Sequence, residues 1–167
     1  LREGVTFHSG NELTTADVKF TFDRLKQSQD FKAIFKPFSS INIIDDYTFE
    51  LVTSEPYPLL LNTATYIFPF DSEFYTGQTE DGKDKSAILK HGNSFASENL
   101  SGTGPYTVTE RKQGVRVEFE RFDNYWDTES PGNVGKIVLT PIKENNTRVS
   151  ALLSGGVDFI APVPPTD

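Results

Sequence analysis

The spacing of apolar residues divides the first half of the chain into one main helix and one hairpin. A Thr-x-x-Asp capping pattern precedes apolar residues at helical spacing, which predicts a helix from about Thr15 to Lys26. From Ile41 to Thr53 the apolar residues instead recur at every second position, interrupted by Asp45 and Asp46. Two aspartates between alternating runs are typical of a tight turn, so this stretch is predicted to form a β-hairpin.

Shorter signals fill the rest of that half. The predicted elements are a strand at Val5–His8, a helix that opens at Glu55–Pro58 and continues through Leu59–Ala64, and a short helix at Ser86–Lys90. Proline is tolerated in the first turn of a helix, and glycine after the last turn can end one. The first half therefore combines short helices with paired strands.

A break at Ser101–Pro105, with two glycines and a proline, precedes a second group of elements. The predicted elements after it are strands at Tyr106–Thr109, Val115–Glu120 and Ile137–Thr140, a helix from Asn145 or Asn146 through Leu153, and a strand at Val157–Ile160. A glycine turn at Lys112–Gly114 joins the first two strands into a second hairpin. The whole pattern predicts a mixed α/β (α+β) fold with antiparallel hairpins and short helices.

Composition then excludes several functions. The chain has 16 basic and 24 acidic residues and a net charge of −8, and its basic residues are scattered, which argues against a nucleic-acid partner. It contains no cysteine, so disulfides, thiolate metal sites and cysteine nucleophiles are excluded. Absence of cysteine says little about the compartment.

The residues that could support catalysis or metal binding do not form a recognisable site. Asp45 and Asp46 fit a turn better than a general acid/base pair. His8 and His91 are the only histidines, and neither has a second ligand at helical spacing, so a surface or capping role is expected for both. Residues 101–104 contain two glycines, but no Gly-Lys-Ser/Thr follows. We therefore predict no catalytic residue, no metal site and no cofactor.

Aromatic residues are the most distinctive feature of the composition. They make up 13% of the chain, including 14 Phe and 6 Tyr. One group lies at Phe31–Phe38 beside Pro37, and another lies at Tyr66–Phe70 around Pro69. Such groups can line a ligand cleft, because small-molecule sites are mostly apolar, or they can fill the core. Spacing alone leaves both interpretations open.

The order of motifs along the chain resembles that of the family 5 solute-binding proteins, the peptide, dipeptide and nickel receptors of ABC importers. The resemblance spans the chain and rests on residues 1–10 (LREGVTFHSG), 13–20 (LTTADVKF), 44–48 (IDDYT), 102–106 (GTGPY), 123–126 (DNYW) and 148–158 (RVSALLSGGVD). It implies a fragment of a periplasmic-binding-protein-like type II receptor. Residues 1–100 would be an accessory lobe and residues 101–167 the start of the main N-terminal lobe, with the facing C-terminal lobe absent.

The resemblance also implies a function. The chain is expected to be the extracytoplasmic component of an ABC importer, without enzymatic activity, which captures short peptides and delivers them to membrane permease subunits. Within the same receptor class, the cargo could instead be an oligosaccharide, a glutathione-like compound or a metal chelate. A secreted hydrolase fragment is a remote alternative. The expected location is the periplasm, or the cell exterior with a membrane anchor in a Gram-positive host.

Two segments correspond to places that approach ligand in nickel-chelate relatives. The candidate ligand-binding residues in them are Phe31, Ile34, Phe35, Tyr66, Ile67 and Phe68. Those relatives carry Arg and Trp at the matching positions, so the apolar residues here favour an organic solute. Elsewhere, the resemblance suggests that Trp126 packs the main lobe and that Gly102 and Gly104 supply unusual backbone angles at the break.

Overall fold

The computed structural model describes residues 1–88 and 94–164 of the chain. Within them the helices are α1 (Thr15–Gln27), α2 (Leu60–Ala64), α3 (Phe95–Glu98) and α4 (Asn145–Leu153), and the strands are β1 (Phe38–Ile43), β2 (Phe49–Thr53), β3 (Tyr106–Lys112), β4 (Arg116–Arg121) and β5 (Lys136–Leu139). The strands form one two-stranded sheet, β1-β2, and one three-stranded sheet, β3-β4-β5. The predicted mixture of helices and antiparallel hairpins is confirmed.

Helix α1 begins where the capping pattern predicts. The Asp17 carboxylate accepts a hydrogen bond from the Thr14 backbone N–H at 2.8 Å, which satisfies a donor that the helix start leaves open. Val18 and Phe22, one turn apart, are buried against β1 in a core with Phe35, Phe38 and Ile41. This apolar stripe attaches the helix to the hairpin.

The β1-β2 hairpin and its turn are also confirmed. The strands are antiparallel, with Ile41 opposite Leu51. In the turn, the Asp45 carboxylate accepts from the backbone N–H groups of Tyr47 at 2.8 Å and Thr48 at 2.7 Å. These bonds, led by the one from Tyr47, lower the pKa of Asp45 below its ordinary value. Asp45 therefore acts as a turn former.

The second sheet has β4 at its centre, and both of its pairings are antiparallel. Gly114 has a φ of 72° in the turn between β3 and β4, a conformation that glycine adopts without strain. Helix α4 covers the predicted range, but the predicted asparagine cap is wrong. Glu144 caps the helix, since its carboxylate accepts from the N–H groups of Asn146 at 2.9 Å and Thr147 at 3.3 Å.

Four other local predictions need correction. Val157–Ile160 is not a strand, because no other described segment pairs with its backbone. At Val5–His8 the structure has only an isolated bridge between Thr6 and Glu12. The second helix is shorter than predicted, since Pro56 and Pro58 precede its first turn instead of forming it. In the predicted helix at 86–90, residues 86–88 are not helical, and residues 89 and 90 lie outside the described residues.

Across the described part of the chain, no helix is both long and apolar enough to cross a bilayer. The two sheets lie on either side of residue 101 along the sequence. The division into lobes at that residue stays a prediction.

Candidate ligand-binding site

The two aromatic segments singled out in the sequence lie side by side. Phe31 is in the turn that follows α1, and Tyr66 is in the turn that follows α2. Their ring centroids are 6.3 Å apart, with the ring planes inclined at 54°. Backbone hydrogen bonds hold each turn, from Phe35 N–H to Phe31 O at 3.0 Å and from Ile67 N–H to Ala64 O at 3.0 Å. Residues separated in sequence therefore form one aromatic surface.

The six candidate residues divide between that surface and the core. Phe68 is 71% exposed, Tyr66 is 46% exposed and Ile34 is also exposed. Phe31 and Ile67 are half-buried and pack against the α1–hairpin core. We call Phe31, Ile34, Tyr66, Ile67 and Phe68 together the aromatic wall. It presents apolar side chains to the outside while its base is held in the core.

Phe35 does not belong to the wall. Its side chain is fully buried, and its ring lies 5.5 Å from that of Phe38 and 6.1 Å from that of Phe22. It leaves no surface for a ligand to contact. The sequence-based assignment of Phe35 to the site is therefore replaced by a role in the core behind the wall.

A layer of hydrogen-bonded and packed side chains supports the wall from α2. The Tyr57 hydroxyl lies 2.9 Å from the hydroxyl of buried Thr63, and the Tyr57 ring meets the Phe38 ring edge-on at 6.0 Å. Because these contacts fix the last turn of α2, they also fix the position at which Tyr66 leaves it. The wall is thus preorganised by the core.

The chemistry of the wall is that of binding. Its only titratable group is the Tyr66 phenol, so it offers neither an activated nucleophile nor an acid/base pair. Over residues 1–88 and 94–164, no group of three or more histidine, aspartate or glutamate side chains is arranged to hold a metal ion. Apolar side chains can instead contact varied organic groups.

A concavity of ≈ 450 Å³ lies beside the C-terminal end of α1, away from the aromatic wall. Arg24 lines it, and the guanidinium carbon lies 5.5 Å from the Phe20 ring and 5.2 Å from the Phe70 ring. Burial lowers the pKa of Arg24, and the guanidinium donates a hydrogen bond to Ser86 O. Asp23, Asp30 and Asp84 also line the cleft, so its charge is mixed.

A polar junction joins the N-terminal segment (residues 5–13) to the crossing segment (residues 101–105), and the sequence did not reveal it. At its centre the Asp71 carboxylate accepts from Ser9 Oγ at 2.5 Å, Asn11 Nδ2 at 2.9 Å, Ser101 Oγ at 2.9 Å and Phe74 N–H at 3.0 Å. Burial raises the pKa of Asp71, but these hydrogen bonds outweigh it and hold the pKa below its ordinary value. The junction thus stabilises a buried negative charge.

His8 belongs to the same junction, where the sequence predicted only a surface or capping role. Its Nε2 lies 2.9 Å from Gly104 O, and its Nδ1 lies 3.3 Å from Gly102 N. Neither Gly102 nor Gly104 has a positive φ, so the predicted special backbone angles are not present there. The other histidine, His91, lies outside the described residues.

The comparison with protein families matches residues 1–167 to the bacterial extracellular solute-binding proteins, family 5 Middle. Among curated proteins, the chain is 27% identical to the glutathione-binding protein GsiB of Pectobacterium atrosepticum and 26% identical to GsiB of Escherichia coli O1:K1, over 98% of this chain in both cases. It spans only 30% of the length of these relatives.

Solved structures give the same picture of the fold. CtaP of Listeria monocytogenes, an ABC transporter substrate binding protein, matches at 27% identity with a TM-score of 0.73, over 94% of this chain and 31% of CtaP. NikZ of Campylobacter jejuni, in complex with Ni(L-His), matches at 21% identity with a TM-score of 0.75, over 94% and 30%. AppA of Bacillus subtilis, in complex with a nonapeptide, matches at 22% identity with a TM-score of 0.70, over 94% and 30%. The predicted periplasmic-binding-protein-like fold is confirmed.

Proposed function

The chain belongs to the bacterial extracellular solute-binding proteins of family 5, and on that premise we propose that its protein captures short peptides outside the cytoplasm and delivers them to the membrane subunits of an ABC importer. In a Gram-negative cell this takes place in the periplasm, and in a Gram-positive cell at the outer surface with a membrane anchor. The protein performs no covalent chemistry on its cargo, as its relatives named above are substrate-binding proteins.

The observation that carries the proposal is the aromatic wall. Phe31 and Tyr66 converge from two turns, Phe31 and Ile67 pack on the core, and Phe68, which follows Ile67 in the chain, is 71% exposed. A surface of this kind contacts peptide side chains of different shapes, because hydrophobic contact is not directional. Polar groups that fix the peptide backbone are then expected from other parts of the protein, since this chain spans 30% of the length of its curated relatives.

A glutathione-like compound is the second candidate, and it is favoured by the curated relatives. GsiB of Pectobacterium atrosepticum and of Escherichia coli are both glutathione-binding proteins at 26–27% identity. Glutathione is a small peptide, so the same wall can contact its thiol-bearing residue. It also carries two carboxylates. Its charges would require cationic partners outside the wall.

Binding to the full-length protein tests the proposal. Titration calorimetry with a defined tripeptide, with reduced glutathione and with the Ni(L-His) complex identifies the cargo class. We expect Phe68→Ala and Tyr66→Ala each to lower the affinity for the peptide about 10- to 100-fold. Truncating an aromatic side chain that a bound ligand covers costs about 1.5 to 3 kcal/mol.

Val115→Ala is the matched control, because Val115 is an exposed apolar residue at the β3–β4 turn, outside the wall. The affinity of the Val115→Ala variant for the peptide should equal that of the wild type. Unchanged peptide affinity in both wall variants would remove the wall from the site. Tight binding of Ni(L-His) with no response to either peptide would overturn the cargo assignment.

A further inference from the structure

The imidazole ring of His8 connects two segments of the chain through both of its nitrogens. Nε2 lies 2.9 Å from the carbonyl oxygen of Gly104, which can only accept a hydrogen bond, so Nε2 carries a proton. Nδ1 lies 3.3 Å from the backbone nitrogen of Gly102, which donates its N–H, so Nδ1 must be unprotonated. The two bonds together require a neutral ring with its proton on Nε2.

Further contacts fix the ring in this position. The His8 backbone N–H donates to Gly102 O at 2.9 Å, and the ring meets the Phe122 ring edge-on with centroids 4.9 Å apart. The neighbouring side chain, Ser9, donates to Asp71, which also accepts from Ser101. His8 therefore cannot turn its ring without losing contacts on the crossing segment.

Protonation of Nδ1 would break this arrangement. The added N–H would point at the N–H of Gly102, and two donors cannot share a hydrogen bond. Histidine is the side chain whose ordinary titration range lies between pH 5 and 8. A proton on Nδ1 would thus replace an attractive contact with a repulsive one.

The charged groups around His8 do not cancel this effect. The crossing segment Ser101–Pro105 has no ionisable side chain. Asp123, next to Phe122, is 84% exposed in its side chain and lies 3.4 Å from Arg121. Asp71 and Tyr75 face the junction from residues 71–75, and Glu12 on the N-terminal segment accepts from the Tyr47 hydroxyl. Asp71 carries the only buried negative charge of this set, and it is ionised across pH 5–7.5 because its pKa is held below the ordinary 3.8.

We propose that His8 is a pH-sensitive link between residues 5–13 and the crossing segment, closed when the ring is neutral and opened by a proton on Nδ1. An extracytoplasmic protein experiences the pH of the medium, so acidification of the surroundings loosens the segment that leads into β3. This inference stands on the geometry of the junction and does not depend on which solute is bound.

Hydrogen exchange of the full-length protein, followed by mass spectrometry, tests the link. The exchange rates of proteolytic fragments of the protein that cover residues 99–106 are compared at pH 7.5 and pH 5.0, after correction for the intrinsic chemical rate. In the wild type we expect the exchange rate to rise at least about fivefold at pH 5.0, because the segment loses about one hydrogen bond. His8→Phe keeps a ring against Phe122 but lacks both nitrogens, so its exchange should be high at both pH values.

His91→Phe, which removes the chain's other histidine, should respond to pH as the wild type does. Equal pH responses in His8→Phe and the wild type, or no response in the wild type, would overturn the proposal. If His8→Phe does not fold, NMR of the ring ¹⁵N resonances of His8 in the wild type tests the proposal instead. A proton on Nε2 alone at pH 7.5 and on both nitrogens at pH 5.0 supports the link, and any other pattern refutes it.

Discussion

At the scale of single residues, the clearest feature is how differently two aspartates are used. Asp45 lies exposed at a turn, and its carboxylate accepts from the N–H groups of Tyr47 and Thr48 just after it. Asp71 is fully buried, and three of its four hydrogen-bond donors are side chains from residues 9, 11 and 101. A buried carboxylate without such donors would be strongly destabilising, so Ser9, Asn11 and Ser101 act together with it.

Asp71 should therefore make stability depend on acid pH. Because its pKa in the folded state is below the ordinary 3.8, its contribution is complete above about pH 5 and is lost as the pH falls through the folded value. We expect Asp71→Asn to lower the free energy of unfolding at pH 7 by about 1 to 3 kcal/mol. Urea denaturation between pH 7 and pH 2.5 should also show a smaller acid loss in the variant.

Asp123→Asn serves as the control for that experiment. The Asp123 side chain is 84% exposed, and its ion pair with Arg121 is at the surface, so the substitution should cost less than about 0.5 kcal/mol at pH 7. Equal losses of stability in Asp71→Asn and Asp123→Asn would contradict the role of the buried network.

At the scale of elements, helix α1 shows that position on a face decides what a residue contributes. Phe20 and Phe22 are two residues apart on the same helix, yet Phe22 is buried in the core and Phe20 lies half-buried beside Arg24. We expect Phe22→Ala to destabilise the fold by about 3 to 5 kcal/mol and Phe20→Ala by less than about 1.5 kcal/mol. Thermal or urea unfolding of the two variants, identical in chemistry, measures the difference; similar losses would refute the assigned orientation of the helix.

The elements that the sequence predicted well are those whose stabilising contacts are local. Helix α1 and the β1-β2 hairpin depend on a cap, a turn and a periodic stripe within one stretch of sequence. The strand expected at Val157–Ile160 depends on partner strands elsewhere, and a two-residue alternation cannot supply them. Local pattern therefore predicts where a strand can form but not whether it is paired.

The candidate site was predictable to a similar degree. The sequence identified both aromatic segments, but the turns that carry them have no periodicity, so spacing could not separate buried Phe35 from exposed Phe68. His8 and Asp71 were missed because their partners lie far along the chain, with Gly104 96 residues from His8 and Asn11 60 residues from Asp71. Only the folded chain reveals such contacts.

At the scale of the whole molecule, one group of exposed apolar side chains lies near the end of the described chain. Leu153 is 82% exposed and Phe159 is 80% exposed, and Val163 is also exposed close by in sequence. The chain spans 30% of the length of its curated relatives, so further parts of the protein can cover these residues. We expect that coverage to be a requirement for a monomeric state, because monomers rarely expose large apolar patches.

The isolated 167-residue chain should accordingly self-associate at micromolar concentrations. Sedimentation velocity should show a smaller associated fraction for the double variant Leu153→Ser, Phe159→Ser. Val115→Ser, which changes an exposed apolar residue at the β3–β4 turn, should associate as the unmodified chain does. A monomeric wild-type chain at these concentrations would show that the exposed residues do not drive self-association.

The long span of the His8 junction also has a consequence for biosynthesis. Gly102, which donates to the His8 ring, lies 94 residues further along the chain. At about 5 to 20 residues per second, a ribosome needs roughly 5 to 19 s to make that stretch. During this interval the His8 imidazole lacks Gly102 and Gly104, and Asp71, once made, still lacks Ser101. The junction therefore cannot close until the crossing segment has been synthesised, and residues 5–13 stay without these contacts until then.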